Sequence, residues 1–203
     1  MTSFEIPDTP AAAAALEVAT EYLSPSLLSH SQRVYWWAVG YAERDGLGFD
    51  AELLFVAAMF HDVALMPEFD SHTVSFEEAG GHVARVFGAG AGWSRERRDR
   101  VREVVVRHMW PEVGATADPE GHLLSRAAAL DIVGRDPDGL SPALRADVLR
   151  TFPRLGLDPE FLASFRAQAE RKPESSAANA VRTGLADRMA APAVHEEAAP
   201  GSQ

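Results

Sequence analysis

The stretch LLFVAAMFHDVA, residues 53–64, is the most hydrophobic part of the 203-residue chain, and it runs directly into two ionisable side chains. Its first eight residues are apolar on every side of a helix, which predicts a central, buried helix with Asp50 as its N-cap. A buried carboxylate such as that of Asp62 requires a compensating partner. Because His61 and Asp62 are adjacent, they can reach one ion only if it lies beside the end of this helix.

Apolar residues recur at helical spacing along almost the whole chain, and no segment of strand length alternates. The sequence therefore predicts an all-α helical bundle with a buried metal site. We divide it into an N-terminal helical extension (1–24), a central domain (25–172) and a C-terminal extension (173–203). The last segment is rich in proline, serine and alanine, so it is predicted to be partly disordered, with one weak helix around 176–190.

Capping residues and prolines place the individual helices. Ser24 and Pro25 begin one helix and Gly46 ends it, while Ser75 and Glu78 form a capping-box pattern at the start of another. The remaining predicted helices span 94–110, 119–134, 141–151 and 158–171.

The composition excludes several classes of function. The net charge of −11 lacks the basic footprint of a nucleic-acid-binding protein. Without cysteine there is no thiolate metal site and no cysteine nucleophile. No apolar run reaches membrane-spanning length and the N-terminus lacks a basic leader, so we expect a cytoplasmic protein without a membrane partner. The expected partner is a small-molecule substrate, and a homo-oligomer stays open.

Two further polar residues lie among apolar neighbours. Asp131 interrupts RAAALDIVG, residues 126–134, and His30 shares a helical stripe with Val34 and Trp37. Together with His61 and Asp62 they predict a site for one divalent transition metal, with zinc or iron favoured and manganese also suitable. The alternative is a buried hydrogen-bond network without metal.

The order of these residues resembles a known family. Histidine, then His-Asp, then aspartate is similar to the HD domain, an all-helical, metal-dependent superfamily. The resemblance implies four metal ligands: His30, His61, Asp62 and Asp131. The stretches SHSQRVYWWA (29–38), TVSFEEAGG (73–81), VVVRH (104–108) and AAALDIVGRD (127–136) resemble its cyanamide hydratase-like branch more specifically. That branch implies a single metal that hydrates a small nitrile-like substrate.

The roles of two other histidines depend on the number of metals. His82 stands where this branch has an apolar residue, and it is predicted to share the apolar face of Ala79 and Val86. His82 and His108 have spacings similar to those of dinuclear HD proteins, so a second metal, and with it an iron oxygenase, is an alternative. If there is one metal, His82 and His108 are pocket residues.

Candidate catalytic and pocket residues surround the four ligands. A neutral His108 or His72 would carry the proton, because histidine titrates near physiological pH. The substrate pocket is predicted to include Thr73, Phe76, Trp110 and Arg33. Two alternatives to the hydratase remain. One is a phosphohydrolase that uses Arg33 or Arg107, against which Leu65 and the acidic charge count, and the other is an inactive metal-stabilised scaffold.

Overall fold

The computed structural model describes residues 4–190, and within this range the chain forms ten α-helices and no strand. The helices are α1 (Pro10–Tyr22), α2 (Pro25–Asp45), α3 (Ala51–Phe60), α4 (Phe76–Gly90), α5 (Arg95–Arg107), α6 (Pro119–Val133), α7 (Pro142–Thr151), α8 (Leu157–Arg171), α9 (Ser176–Arg182) and α10 (Leu185–Met189). Two 3-10 turns, Val63–Leu65 and Pro137–Gly139, lie between them. The prediction of an all-α bundle is confirmed.

The hydrophobic helix α3 is the centre of the bundle. Every residue from Leu53 to Phe60 is buried, and α1, α2, α4, α5 and α6 all pack against the helix. Asp50 is the N-cap, since its carboxylate accepts a hydrogen bond from the backbone N–H of Leu53 at 3.0 Å. The expected burial of this helix on all sides is confirmed.

Helix α2 follows the predicted boundaries. The Ser24 hydroxyl caps it, Pro25 is its first residue, and Gly46 ends it with a left-handed φ of 64° that suits glycine. The helix packs against α6. Its predicted stripe is buried, so His30 and Trp37 face the interior of the bundle.

Helices α4 and α5 form a closely packed antiparallel pair. A Cβ atom at Gly80 would lie 3.0 Å from the Phe60 carbonyl oxygen, and one at Gly81 would lie 3.0 Å from a methyl group of Val106. The two glycines thus let α4 approach both the end of α3 and the face of α5. The predicted capping box is absent at this terminus, because the Glu78 carboxylate pairs with an arginine of α5 at 2.6 Å.

The C-terminal segment folds back onto the bundle instead of leaving it. The predicted weak helix is two short helices, α9 and α10, which are separated by Gly184 with a φ of 84°. Leu185 and Met189 are buried, and the Ser176 hydroxyl donates a hydrogen bond to Glu77 at 2.7 Å. The expected disorder of the final residues falls largely on 191–203, outside the described part of the chain. From residue 4 to residue 190, no helix has the length and hydrophobicity needed to cross a bilayer.

Candidate metal centre

His61 and Asp62 lie where α3 ends. Phe60 is its last residue, His61 keeps helical dihedral angles (φ −61°, ψ −33°), and Asp62 (φ −110°, ψ 6°) leads into the following 3-10 turn. Consecutive side chains on a continuing helix would diverge by about 100°. The change of direction at Asp62 instead brings its Oδ2 within 3.3 Å of His61 Nε2.

A third donor comes from α2. His30 Nε2 lies 3.2 Å from His61 Nε2 and 3.3 Å from Asp62 Oδ2. One donor atom from each of the three residues lies within 4.8 Å of the others, and all three side chains are buried. Two imidazoles and a carboxylate could hold a divalent metal ion, and these donors suit zinc or iron.

Hydrogen bonds on the outer ring nitrogens fix the direction of the inner ones. His30 Nδ1 donates to Asp131 Oδ2 at 2.6 Å, and His61 Nδ1 donates to the Ala58 carbonyl at 2.8 Å. A neutral imidazole carries one N–H, so each Nε2 presents a lone pair to the centre. Asp62 Oδ2 is buried and receives no hydrogen bond from the described residues. Three converging electron pairs require a positive charge, and the donor set therefore fits a metal ion.

The electrostatics of the cluster indicate the same requirement. Burial lowers the pKa of the His30 imidazole, but the hydrogen bond to Asp131 and the negative charges of Asp131 and Asp62 outweigh it, and the pKa is raised above its ordinary value. Burial raises the pKa of the Asp62 carboxyl, but electrostatic attraction to His61 and His30 outweighs it and holds that pKa far below its usual range. Both shifts favour a positive charge, a cation or a proton, at the centre of the cluster.

Asp131 lies behind His30, on the side of the ring away from the cluster centre. Arg33 donates to both carboxylate oxygens, through Nε to Oδ1 at 2.8 Å and through Nη2 to Oδ2 at 2.7 Å. The Trp37 indole N–H adds a bond to Oδ1 at 2.9 Å. Burial raises the pKa of the Asp131 carboxyl, but the charge and hydrogen bonds of Arg33 outweigh it and hold the pKa well below its usual range. Asp131 therefore contacts the outer nitrogen of His30, and the structure does not place it among the inner donors.

His108 is a third histidine near the centre of the cluster. Its Nε2 lies 3.8 Å from Asp62 Oδ1, and its ring centroid lies 5.0 Å from that of His61. Nδ1 donates to the Val105 carbonyl at 2.5 Å, which directs Nε2 inward. Burial and the nearby His61 lower the pKa of His108 to about 4, so the ring is neutral at pH 7.

A cavity of about 510 Å³ opens from the cluster to the surface. The cluster is fully buried, whereas Trp110, which lines the same cavity, is 51% exposed and marks its mouth. Most of the wall is apolar and is formed by α6, α8 and the C-terminal helices, through residues such as Ala128, Ile132, Phe161, Phe165 and Leu185. The volume lies within the usual range for small-molecule sites.

The loop that follows α3 does not reach this cavity. His72 and Thr73 are exposed and line a separate polar cavity beside Lys172. Asp70 draws the loop toward α8, because its carboxylate accepts hydrogen bonds from Gln168 at 2.9 Å and from Lys172 at 2.8 Å. The structure therefore does not support the predicted catalytic role of His72 or the pocket role of Thr73.

His82 also lies away from the cluster. It is on an exposed face of α4, and Val86, which was expected to share a buried face with it, is 72% exposed. Helix α4 packs through small residues, Ala79, Gly80 and Ala84, and that leaves His82 facing outward. The expectation that His82 faces the core is wrong, and a second metal held by it is not supported.

The other predicted pocket residues have different positions. Trp110 lines the mouth of the cavity as expected. Phe76 is buried against His108, with ring centroids 5.7 Å apart, but it does not line the cavity. Arg33 faces Asp131 instead of the substrate space, and Arg107 is paired with Asp118 at 2.7 Å.

Sequence reasoning missed the outer wall of the cavity. Phe161 and Phe165 form an ordinary i, i+4 apolar pair, which indicates only a core-facing stripe. Arg135 and Arg188 also line the cavity. No local sequence pattern distinguishes Arg188 from the other arginines. Its position at the cavity depends on how α9 and α10 fold back onto the bundle.

Comparison with known proteins agrees with this architecture. A family model described as the HD domain matches residues 27–136. Two cyanamide hydratases of Saccharomyces cerevisiae, DDI2 and DDI3, are each 30% identical to the chain over 173 residues. The alignments cover 82% of this chain and 76% of each relative. The chain belongs to the HD-domain family and is related, within it, to the cyanamide hydratases.

Proposed function

We propose that the protein is a metal-dependent hydratase that adds water to the C≡N bond of a small nitrile-type substrate such as cyanamide. The observation that carries this proposal is the convergence of His30, His61 and Asp62 at the inner end of a largely apolar cavity. The relatives named cyanamide hydratase support the choice of substrate. A bound divalent ion would supply a Lewis acid and lower the pKa of water held beside it.

His30 and His61 would bind the ion through Nε2, and Asp62 through a carboxylate oxygen. Their orientation is held from outside, by Asp131 on His30 and by the Ala58 carbonyl on His61. Such outer hydrogen bonds fix the tautomer and orientation of ligating imidazoles. The site is thus arranged before the substrate arrives, and none of its catalytic benefit is lost to reorganisation.

His108 would carry the proton. Its Nε2 is 3.8 Å from Asp62 Oδ1, and His108 is not in the group of donors that lie within 4.8 Å of one another, so we assign it to the reacting water and not to the ion. The lone pair on Nε2 accepts a proton as the water oxygen bonds to the nitrile carbon. The same atom returns that proton to the nitrile nitrogen, and the resulting imidic acid rearranges to an amide, or to urea when the substrate is cyanamide.

The geometry supports this reaction over the two enzymatic alternatives. A phosphohydrolase would use Arg33 or Arg107 near the ion, but both are committed to aspartates. A dinuclear oxygenase would use His82, which is exposed. Within residues 4–190, His30, His61 and Asp62 are the one group of donors that could hold a metal ion.

The test is urea formation from cyanamide by the metal-loaded protein under nitrogen. We expect measurable urea without oxygen. In His108→Ala we expect the metal to be retained and the rate to fall about 100-fold or more, the usual contribution of a general acid–base. His82→Ala is the matched control, since it removes an exposed histidine, and it should keep both metal and rate.

Two results would contradict the proposal. One is a protein that contains its metal but forms neither urea from cyanamide nor amides from small nitriles. The other is turnover that consumes oxygen with the substrate. Loss of the metal in His108→Ala would keep the hydratase but reassign His108 from proton carrier to ligand.

A further inference from the structure

Two arginines lie at the outer end of the metal cavity. Arg135 follows the C-terminus of α6, and its backbone N–H bonds to the Ala129 carbonyl at 3.3 Å. Arg188 belongs to α10, and its guanidinium donates to the Thr183 carbonyl at 2.6 Å. Both residues are exposed, whereas the cluster at the other end is fully buried. The two cationic groups therefore occupy the mouth.

Neither arginine has a carboxylate partner among the described residues, although most arginines of this acidic chain do. The Asp136 carboxylate next to Arg135 is bound by Arg126. Asp187 does not line the cavity. Of the lining residues within 4–190, Asp62 alone carries a carboxylate, and it belongs to the metal cluster. Among the described residues that line the cavity, no carboxylate therefore pairs with the positive charge at the mouth.

The segment that carries Arg188 is fastened to the bundle. Leu185 and Met189 are buried, and Ser176 at the start of α9 bonds to Glu77 at 2.7 Å. Arg188 is therefore held at the cavity by the packing of α9 and α10, unlike an arginine on a free tail.

The cavity wall is mostly apolar, although Ser125, Asn179 and Thr183 also line it, and the cavity is larger than the smallest nitriles require. Phe161, Phe165 and Ile132 contribute to a volume of about 510 Å³, whereas cyanamide has only three non-hydrogen atoms. A ligand that fills such a space has an apolar or aromatic body.

Building on the proposed function, we infer that the preferred substrate of this site carries an acidic group at the end opposite its nitrile. The nitrile lies at the metal cluster, the apolar body contacts the aromatic wall, and the acidic group pairs with Arg135 and Arg188. Guanidinium groups suit carboxylates and phosphates alike, because their planar donors match both.

Binding of three ligands that share one cyanophenyl body tests the inference without depending on turnover. Titration calorimetry on the metal-loaded protein would compare benzonitrile, 4-cyanobenzoate and 4-cyanophenylphosphonate. We expect at least one anionic ligand to bind about five- to tenfold tighter than benzonitrile, as exposed but prearranged ion pairs allow. The larger of the two preferences would identify the acidic group as carboxylate or phosphate-like. The preference should weaken as salt rises.

The double variant Arg135→Gln/Arg188→Gln should abolish the preference for the anion and leave benzonitrile binding unchanged. Arg166→Gln is the matched control, because Arg166 is exposed and lies outside the cavity lining. Equal binding of all three ligands by the wild type would overturn the inference. A preference that survives in the double variant would also overturn it, since the anion would then bind elsewhere, such as at the ion. Urea formation from cyanamide reports separately on the proposed function.

Discussion

His30 lies between two buried carboxylates, those of Asp131 and Asp62, which differ in how many of their oxygen atoms accept hydrogen bonds. On the outer side, Asp131 accepts hydrogen bonds from Arg33, Trp37 and His30 itself. On the inner side, Asp62 has a buried oxygen that receives no donor from the described part of the chain. Both aspartates interrupt apolar helical sequence, so they look alike before folding. The difference teaches that a buried carboxylate indicates a ligand only when the protein leaves its electron pairs unused.

The largest expected effect is on the inner side. His61→Ala removes one of three converging donors, so metal affinity should fall by much more than the roughly 100-fold that loss of a supporting residue costs. The melting temperature of the variant should no longer rise when metal is added, because bound metal stabilises only a fold that binds it. Elemental analysis and thermal unfolding with and without metal measure both effects. Full metal occupancy in this variant would show that the cluster is assigned wrongly.

Removing the outer carboxylate should act mainly on stability. Asp131→Ala leaves the fully buried Arg33 guanidinium without its partner, which costs about 3–5 kcal/mol in the free energy of unfolding. Denaturant unfolding of the metal-free variant and wild type measures this difference in the free energy of unfolding. Asp45→Ala is the matched control, because Asp45 is exposed and its ion pairs with Arg44 and Arg126 are each worth about 1 kcal/mol or less. A comparable loss in both variants would mean that the outer network is not critical.

The protonation of His30 on its inner side should make the stability of the metal-free protein depend on pH. The pKa of His30 is raised from 6.5 in the folded chain, so its protonation stabilises the fold fully below pH 6.5. That stabilisation is lost as the pH rises through the folded pKa. His108, with its pKa lowered to about 4, acts only below pH 6.5 and with the opposite sign. The urea midpoint of the metal-free protein should therefore fall as the pH rises above 6.5, and the metal-loaded protein should lack this fall.

The smallest effects are expected at two histidines that belong neither to the metal cluster nor to the hydrogen-bond network of Asp131. His72→Ala and His82→Ala should change stability by no more than about 0.5 kcal/mol and leave metal content intact, since both side chains are exposed. Metal analysis and unfolding of the single variants check this. Loss of metal from His82→Ala would restore the case for a second metal.

Much of the fold could be predicted because the local sequence signals for helix burial, helix starts and helix ends agree with the way the helices pack. The all-apolar helix α3, the cap at Ser24 and the left-handed Gly46 are each specified within a few residues. The capping box at Ser75 failed because Glu78 has a better partner, Arg102, which is distant in sequence.

The site could be predicted only in part. The placement of His61 and Asp62 at a helix end, with His30 on a buried stripe, was sufficient to bring the inner donors together. The position of Asp131 relative to His30 depends on how α2 and α6 cross, which no local pattern specifies. His72 shows that a loop residue close to the motif in sequence need not lie close to the site in space. His82 shows that helical spacing from Ala79 and Val86 does not by itself identify a buried face, because Val86 is also exposed.

The central claim is that Asp62 binds the metal and Asp131 positions His30. The most direct test is the metal affinity of Asp62→Asn and Asp131→Asn, measured by competition with a chelator and with elemental analysis of the metal bound per chain. The amide keeps the size of each side chain, so both variants preserve packing. We predict that Asp62→Asn purifies without metal, whereas Asp131→Asn retains about one ion per chain with an affinity about 10- to 100-fold weaker. An Asp131→Asn protein as empty as Asp62→Asn would contradict the account, because Asp131 would then be a ligand.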